Sequence, residues 1–172
     1  TTAVAPSPPT TADPNPDVIP AVITVPYVNA VFVVLNHLNG DAARSLIASG
    51  HITSEVENDL RAIYDNPLFS IEMRVAEQGV GSRFANVRRP PGDRLTTVTH
   101  LITGTKGCIF VETRTDLSAV EVVPTSPAAS EYWELRPKQS GIDPENHNRT
   151  PWALAFNQAY LTPTAVTNPC SA

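Results

Sequence analysis

After Gly81 the apolar period of this chain changes from about 3.6 residues to 2, and it does not change back. Before that point the apolar residues recur at helical spacing. Beyond it, stretches rich in Thr, Val and Ile alternate in the manner of strands. Helices therefore come first and an antiparallel meander of strands follows them. That order predicts an α+β domain, with N-terminal helices packed on a curved antiparallel sheet of about four strands. The 172 residues suffice for one such core with a tail to spare, because a domain of roughly 150 residues buries about 70% of the surface its unfolded chain exposes.

In the helical half, Tyr27, Val31, Val34, Leu35 and Leu38 make one stripe. Asn39-Gly40 has the chemistry of a C-terminal cap and predicts a stop. Asp41 then opens a short helix to Ser49, packing Ala42, Leu46 and Ile47, which Gly50 ends. Thr53 or Ser54 caps the next, with Glu57 in capping-box position to Ser54. That helix presents Val56, Leu60, Ile63 and Tyr64. Asn66-Pro67 breaks it, and Pro67 opens a further helix with Leu68, Ile71, Met73, Val75 and Ala76 that runs to Gly79.

In the strand half, 94–103 and 108–116 flank Gly104-Thr105-Lys106-Gly107 and predict a β-hairpin. A symmetric turn sets Ile102 opposite Ile109, His100 opposite Val111 and Val98 opposite Thr113, all on one face. The other face then pairs Leu101 with Phe110, Thr99 with Glu112 and Thr97 with Arg114. Two more strands follow. The first, 131–136, alternates Trp133 and Leu135 against Tyr132, Glu134 and Arg136. The second, 152–161, alternates Trp152, Leu154, Phe156 and Tyr160 against smaller residues. Residues 138–150 between them read as a polar loop.

Seven of the seventeen Pro precede Val28, too dense for helix. Residues 1–26 therefore read as a Pro/Thr-rich leader or tether, 27–161 as the domain and 162–172 as a tail. Val18, Ile19, Val22, Ile23 and Val25 are apolar enough that 17–26 is expected to pack on the domain. Starting at Thr1 without Met, the chain reads as already trimmed.

Two cysteines, Cys108 and Cys170, match no metal spacing, and the four His are scattered, so no metal site is expected. The competing readings are a Cys108–Cys170 disulfide, which is the expectation, and two unrelated thiols. Cys170 stands in a polar tail where a lone thiol would be exposed. A bridge would staple that tail to a strand, contribute about 4 kcal/mol on the loop-entropy account, and imply an oxidising compartment.

The charge pattern excludes other classes. A net charge of −5, with Arg88-Arg89 the only adjacent basic pair, gives no phosphate-tracking surface, so no nucleic-acid partner is expected. No apolar run approaches the ~18 residues of a membrane span. Gly79-Val80-Gly81 lacks the context of a dinucleotide loop, no Gly-x-Ser-x-Gly elbow occurs, and no cofactor is expected. Asn148-Arg149-Thr150 is formally a glycosylation sequon.

Tyr27–Ser49, with Asn39, Gly40 and Asp41 at its break, resembles the opening of nuclear-transport-factor-like domains, of the type found in exported actinobacterial proteins. That cone-shaped superfamily also holds ketosteroid isomerases and polyketide cyclases. The resemblance implies a cystatin-like roll, its sheet wrapped around the long helix with a cavity at the open end. Enzyme members place an Asp or His in that cavity; others only bind, so the fold leaves function open.

His100 is the catalytic candidate, because the symmetric register sets it on an apolar wall where burial would favour the neutral imidazole of a general base. A hydrogen-bonded core His is the commoner outcome, and no carboxylate shares that stretch of the face. Glu112, Arg114 and Asp116, like Glu134 and Arg136, read as salt-bridge ladders on a wet face. Trp133, Trp152, Phe156 and Tyr160 could line a ligand pocket, although strand spacing makes them core first. The expectation is a non-catalytic extracytoplasmic binding or assembly domain, secreted or envelope-tethered. Its partner is a protein, a small apolar ligand or a second copy in a homodimer. The alternative is a cavity enzyme, an isomerase, cyclase or hydratase acting through His100, and a third reading is a structural spacer.

Overall fold

The computed structural model describes residues 14–79, 86–123, 130–138, 150–159 and 166–171. Three helices come first, α1 (Val25–Ser49), α2 (Ser54–Ile63) and α3 (Leu68–Gly79). Four strands follow, β1 (Leu95–Gly104), β2 (Ile109–Asp116), β3 (Ser130–Pro137) and β4 (Trp152–Ala159), and a 3-10 turn at Pro169–Ser171. The strands form one antiparallel sheet in the order β1-β2-β3-β4, with the helices packed on it, so the α+β expectation holds.

The predicted stop at Asn39-Gly40 does not occur. α1 runs unbroken for 25 residues, from a Thr24 cap whose side chain accepts from Tyr27 N to Gly50. Gly50 adopts φ 71, the left-handed conformation that only glycine takes without strain, and its N–H reaches Leu46 O at 2.9 Å. Gly40 serves packing instead. A Cβ there would lie 2.2 Å from Asp93 Oδ1, so its absence lets the segment before β1 close onto the helix. The capping box at α2 is also corrected: Thr53 Oγ1 accepts from Val56 N at 3.2 Å, while Glu57 pairs with Arg61 one turn later.

α1 lays Val28, Val31, Phe32 and Leu35, each no more than 1% exposed, on one face of the sheet. Ile109, Val111, Trp133, Leu135, Trp152 and Leu154 receive them in a single cluster. Trp152 Nε1 donates to the Tyr27 hydroxyl at 2.7 Å, tying β4 to the first turn of α1. Of the segment 17–26, Ile23 is buried over Gly104 and Ile19 and Val25 pack partly against the core, while Val18 and Val22 are exposed. Both sheet edges meet helical elements: Val98 N donates to Asn29 Oδ1 at 2.8 Å, and Asp65 N to Leu154 O at 2.9 Å.

The hairpin register is symmetric only far from the turn, where Thr97 faces Arg114 and Val98 faces Thr113. Nearer the turn β1 carries two extra residues, Thr99 and Ile102. His100 therefore faces Glu112, Leu101 faces Val111 and Gly104 faces Ile109. Bulges re-aim the side chains that follow them. The expected pairs of Ile102 with Ile109, His100 with Val111, Leu101 with Phe110 and Thr99 with Glu112 are thus overturned. Leu101 turns toward the core, and Ile102, at 38% exposed, turns away. In β4, Ala155 is the extra residue, with Glu134 facing Phe156 but Leu135 facing Leu154.

Candidate functional site

Those bulges decide what reaches the interior. His100 is exposed on the outer side of β1, not on the apolar wall that made it a base, so its catalytic reading loses its premise. Trp133 and Trp152 are buried members of the core, Phe156 is 37% exposed on the outer side, and Tyr160 lies outside the described residues. The structure therefore does not gather the four aromatic residues into one described pocket.

What it does gather is a chain of polar side chains on the inner face. Trp133 Nε1 and Thr115 Oγ1 both donate to Glu131 Oε2 at 3.1 Å. Thr115 meets Thr96 Oγ1 at 3.2 Å, and Thr96 donates to Asn36 Oδ1 at 3.4 Å. Arg94 Nε donates to the same oxygen at 3.1 Å, while Arg94 Nη2 reaches the Tyr64 hydroxyl at 3.1 Å. Asn39 Nδ2 donates to that hydroxyl from α1, again at 3.1 Å. Burial holds Tyr64 above the ordinary tyrosine range, with the nearby Arg94 charge opposing it. Arg94 loses hydration by burial but gains from Tyr64, Glu131 and Glu72, which hold its guanidinium charged.

Arg94 was within reach of the sequence. At period two it shares a face with Thr96 and Val98, the inner face as read there. Helical spacing marks Tyr64 only as part of an apolar stripe, and its hydroxyl is the part the network uses.

The network backs a groove of about 360 Å³ between the three helices. Ala42, Leu46, Val56, Leu60 and Ala76 line it with apolar surface; Asn39, Glu72 and Glu121 supply the polar wall. Asn39 is the link, lining the groove and donating to Tyr64. Glu121 is brought there by backbone bonds of 117–122 to 86–92, including Gly92 N to Ala119 O at 2.8 Å.

A second groove, of about 620 Å³, opens on the other side of α1 over Val33, Val34 and Leu38. His37, Asp41 and Arg44 lie on its polar side. Asp93, closed onto the helix, accepts from His37 Nδ1 at 2.8 Å and from Arg44 Nη1 at 3.0 Å. Asp41 lies 3.5 Å from His37 Nε2 and 2.7 Å from Arg44 Nη2, which completes a ring of four side chains. Asp41 is the main cause that raises Arg44. Adjacent residues thus diverge across α1, Asp93 into the ring and Arg94 into the buried network.

Cys108 and Cys170 form the expected disulfide. No helix among the described residues is long and apolar enough to cross a membrane. No family model, curated protein or solved structure matches this chain.

Proposed function

We propose that this chain is a non-catalytic, extracytoplasmic binding domain that takes a small apolar ligand with a cationic, hydrogen-bond-donating head into the groove between α1, α2 and α3. The observation that carries it is the pairing in that groove of an apolar lining with Glu72 and Glu121, backed by the Arg94–Tyr64 network through Asn39. Small sites of this kind join apolar walls to a few placed polar groups. The disulfide favours an oxidising compartment, secreted or at a cell envelope. The order of helices and sheet is compatible with a nuclear-transport-factor-like domain, which we retain as a proposal for the family.

The test is a titration of the whole chain with octylamine, octanol and octanoate, read by amide chemical shifts. At about 0.3–0.5 kcal/mol per heavy atom, octylamine should bind in the millimolar range. Shifts should centre on Ala42, Leu46 and Ala76, with the amine binding more tightly than octanol and octanoate most weakly. An Ala42→Phe chain, with the groove filled, should lose them. Equal affinity for amine and carboxylate, or shifts that survive Ala42→Phe, would reject the proposal.

A further inference from the structure

We propose that the Cys108–Cys170 bridge is a thiol–disulfide exchange site for an external dithiol, and that Glu134 holds the Cys108 thiol of the opened form. Opening would release the C-terminal strap, 166–171, from the outer face of the sheet.

Glu134 motivates this. It is only 5% exposed, on the outer face of β3, opposite Phe110. Its Oε1 lies 3.6 Å from Cys108 Sγ, and one carboxylate oxygen and both sulfurs fall within 4.8 Å of one another. A disulfide sulfur carries no proton, so in the closed form this contact is not a hydrogen bond. It sets one lone-pair bearer against another, at a carboxylate that is itself nearly buried. Arg136 Nε supplies the carboxylate with one donor from a half-exposed side chain. In the opened form the Cys108 S–H becomes a second donor to the same carboxylate. A hydrogen bond present only in the dithiol draws the equilibrium toward the dithiol, more so because its acceptor is ionised.

Both cysteines are partly exposed, so an external thiolate can reach the bridge. It attacks Cys170 Sγ, the Cys108–Cys170 bond breaks, and Cys108 leaves as the thiolate. The second thiol of the reductant then displaces Cys170. The external dithiol is oxidised to a disulfide, and its two protons and two electrons end on Cys108 and Cys170.

The strap has few other holds among the described residues. Asn168 Nδ2 donates to Thr103 Oγ1 at 2.8 Å, and the Pro169–Ser171 turn packs near β2. The face to which it is stapled carries Phe110 and Tyr132, stacked at 6.1 Å, 1% and 4% exposed, and separate from the core beneath the helices. Opening the bridge would free the strap from the face that carries this pair.

The experiment equilibrates the whole chain in dithiothreitol buffers and counts thiols by alkylation and intact mass. Relative to the native chain, Glu134→Leu should move the equilibrium about tenfold toward the disulfide, about 30 mV for this two-electron couple. Glu134→Gln keeps a neutral acceptor and should move it about threefold in the same direction. If Glu134→Leu does not fold, Glu134→Gln decides. A ratio within twofold of native, or a shift toward the dithiol, overturns the role of Glu134. In the reduced chain, amide exchange should rise across 166–171 while β2 and β3 stay protected. A strap that stays protected, or a sheet that opens with it, overturns the release.

Discussion

Gly40 lies directly beneath Asp93, so closely that a Cβ on the glycine would meet Asp93 Oδ1 at 2.2 Å and Arg44 Nη1 at 2.9 Å. Both obstructing atoms end flexible side chains, so Gly40→Ala should fold, with Asp93 pushed out of its ring. Two opposed effects follow. Alanine gains about 1 kcal/mol of helix propensity, and the displaced ion pairs, exposed to water, are worth up to about 1 kcal/mol each. Gly40→Ala alone should therefore change stability by less than about 1 kcal/mol. The contact shows in a double-mutant cycle by urea denaturation. Asp93→Ala should destabilise the native chain by about 1 kcal/mol and the Gly40→Ala chain hardly at all. Equal costs in both backgrounds would mean the ring does not depend on Gly40.

The Tyr27–Trp152 hydrogen bond gives a second prediction. Both residues are buried, at 3% and 0% exposed. Tyr27→Phe keeps the ring but strands the indole N–H in the core, which costs about 1–3 kcal/mol. Trp152→Phe in the Tyr27→Phe background removes the orphan but leaves a cavity. The two costs should therefore sum to more than the double variant shows. Additive costs in denaturant titrations would remove this bond from the account of the core.

The sequence made the element order, the helical stripe and the disulfide legible because each rests on local chemistry: periodicity, cap residues and a thiol in a polar tail. Sequence and structure part where a tertiary contact decides. Asn39-Gly40 has stop chemistry, yet Gly40 stays helical, and Asp93 fills the space that its missing side chain leaves. With the helix wrongly broken there, the i,i+4 spacing of His37 and Asp41 could not be read as a pair. Thr99, Ile102 and Ala155 carry no mark of a bulge, and each reverses the faces of the residues beyond it. Strict alternation therefore turns His100 inward and Phe156 toward a pocket, whereas the structure turns both outward. The Arg94–Tyr64 network joins residues 30 apart, a pairing that no local pattern encodes.

Stability should depend on pH through Lys138. Burial lowers its amine to about 7 from an ordinary 10.5. Below about pH 7 the ammonium is charged in the folded chain too, desolvated while it donates to Thr150 O. Between there and about 10.5 the unfolded chain binds the proton that the folded one has lost, so stability rises with pH. The slope approaches 1.4 kcal/mol per pH unit, roughly, for one proton. Tyr27 and Tyr64 act in the opposite sense. Burial raises both, so above about pH 10 the unfolded phenols ionise first and stability falls. Urea midpoints should therefore rise from pH 7, peak near pH 10 and fall beyond it. Lys138→Met should abolish the rise, and a rise that survives it would mean another group is responsible.

The bulges in β1 can be tested against the symmetric register that they replace. In that register Ile102 and Ile109 face each other on one buried wall, and truncating either would cost about the same. In the observed one, Ile109 is 0% exposed within the core and Ile102 is 38% exposed and without a partner across the hairpin. Ile109→Ala removes buried methyl and methylene groups from a packed site, which costs about 2–5 kcal/mol. Ile102→Ala removes surface already half in water and should cost less than about 1 kcal/mol. Val111, opposite Leu101 and 0% exposed, should behave like Ile109 when cut to Ala, and Thr99, exposed at the first bulge, like Ile102. Comparable losses at 102 and 109 in denaturant titrations would restore the symmetric pairing. His100 would then return to the inner wall with its candidacy as a base.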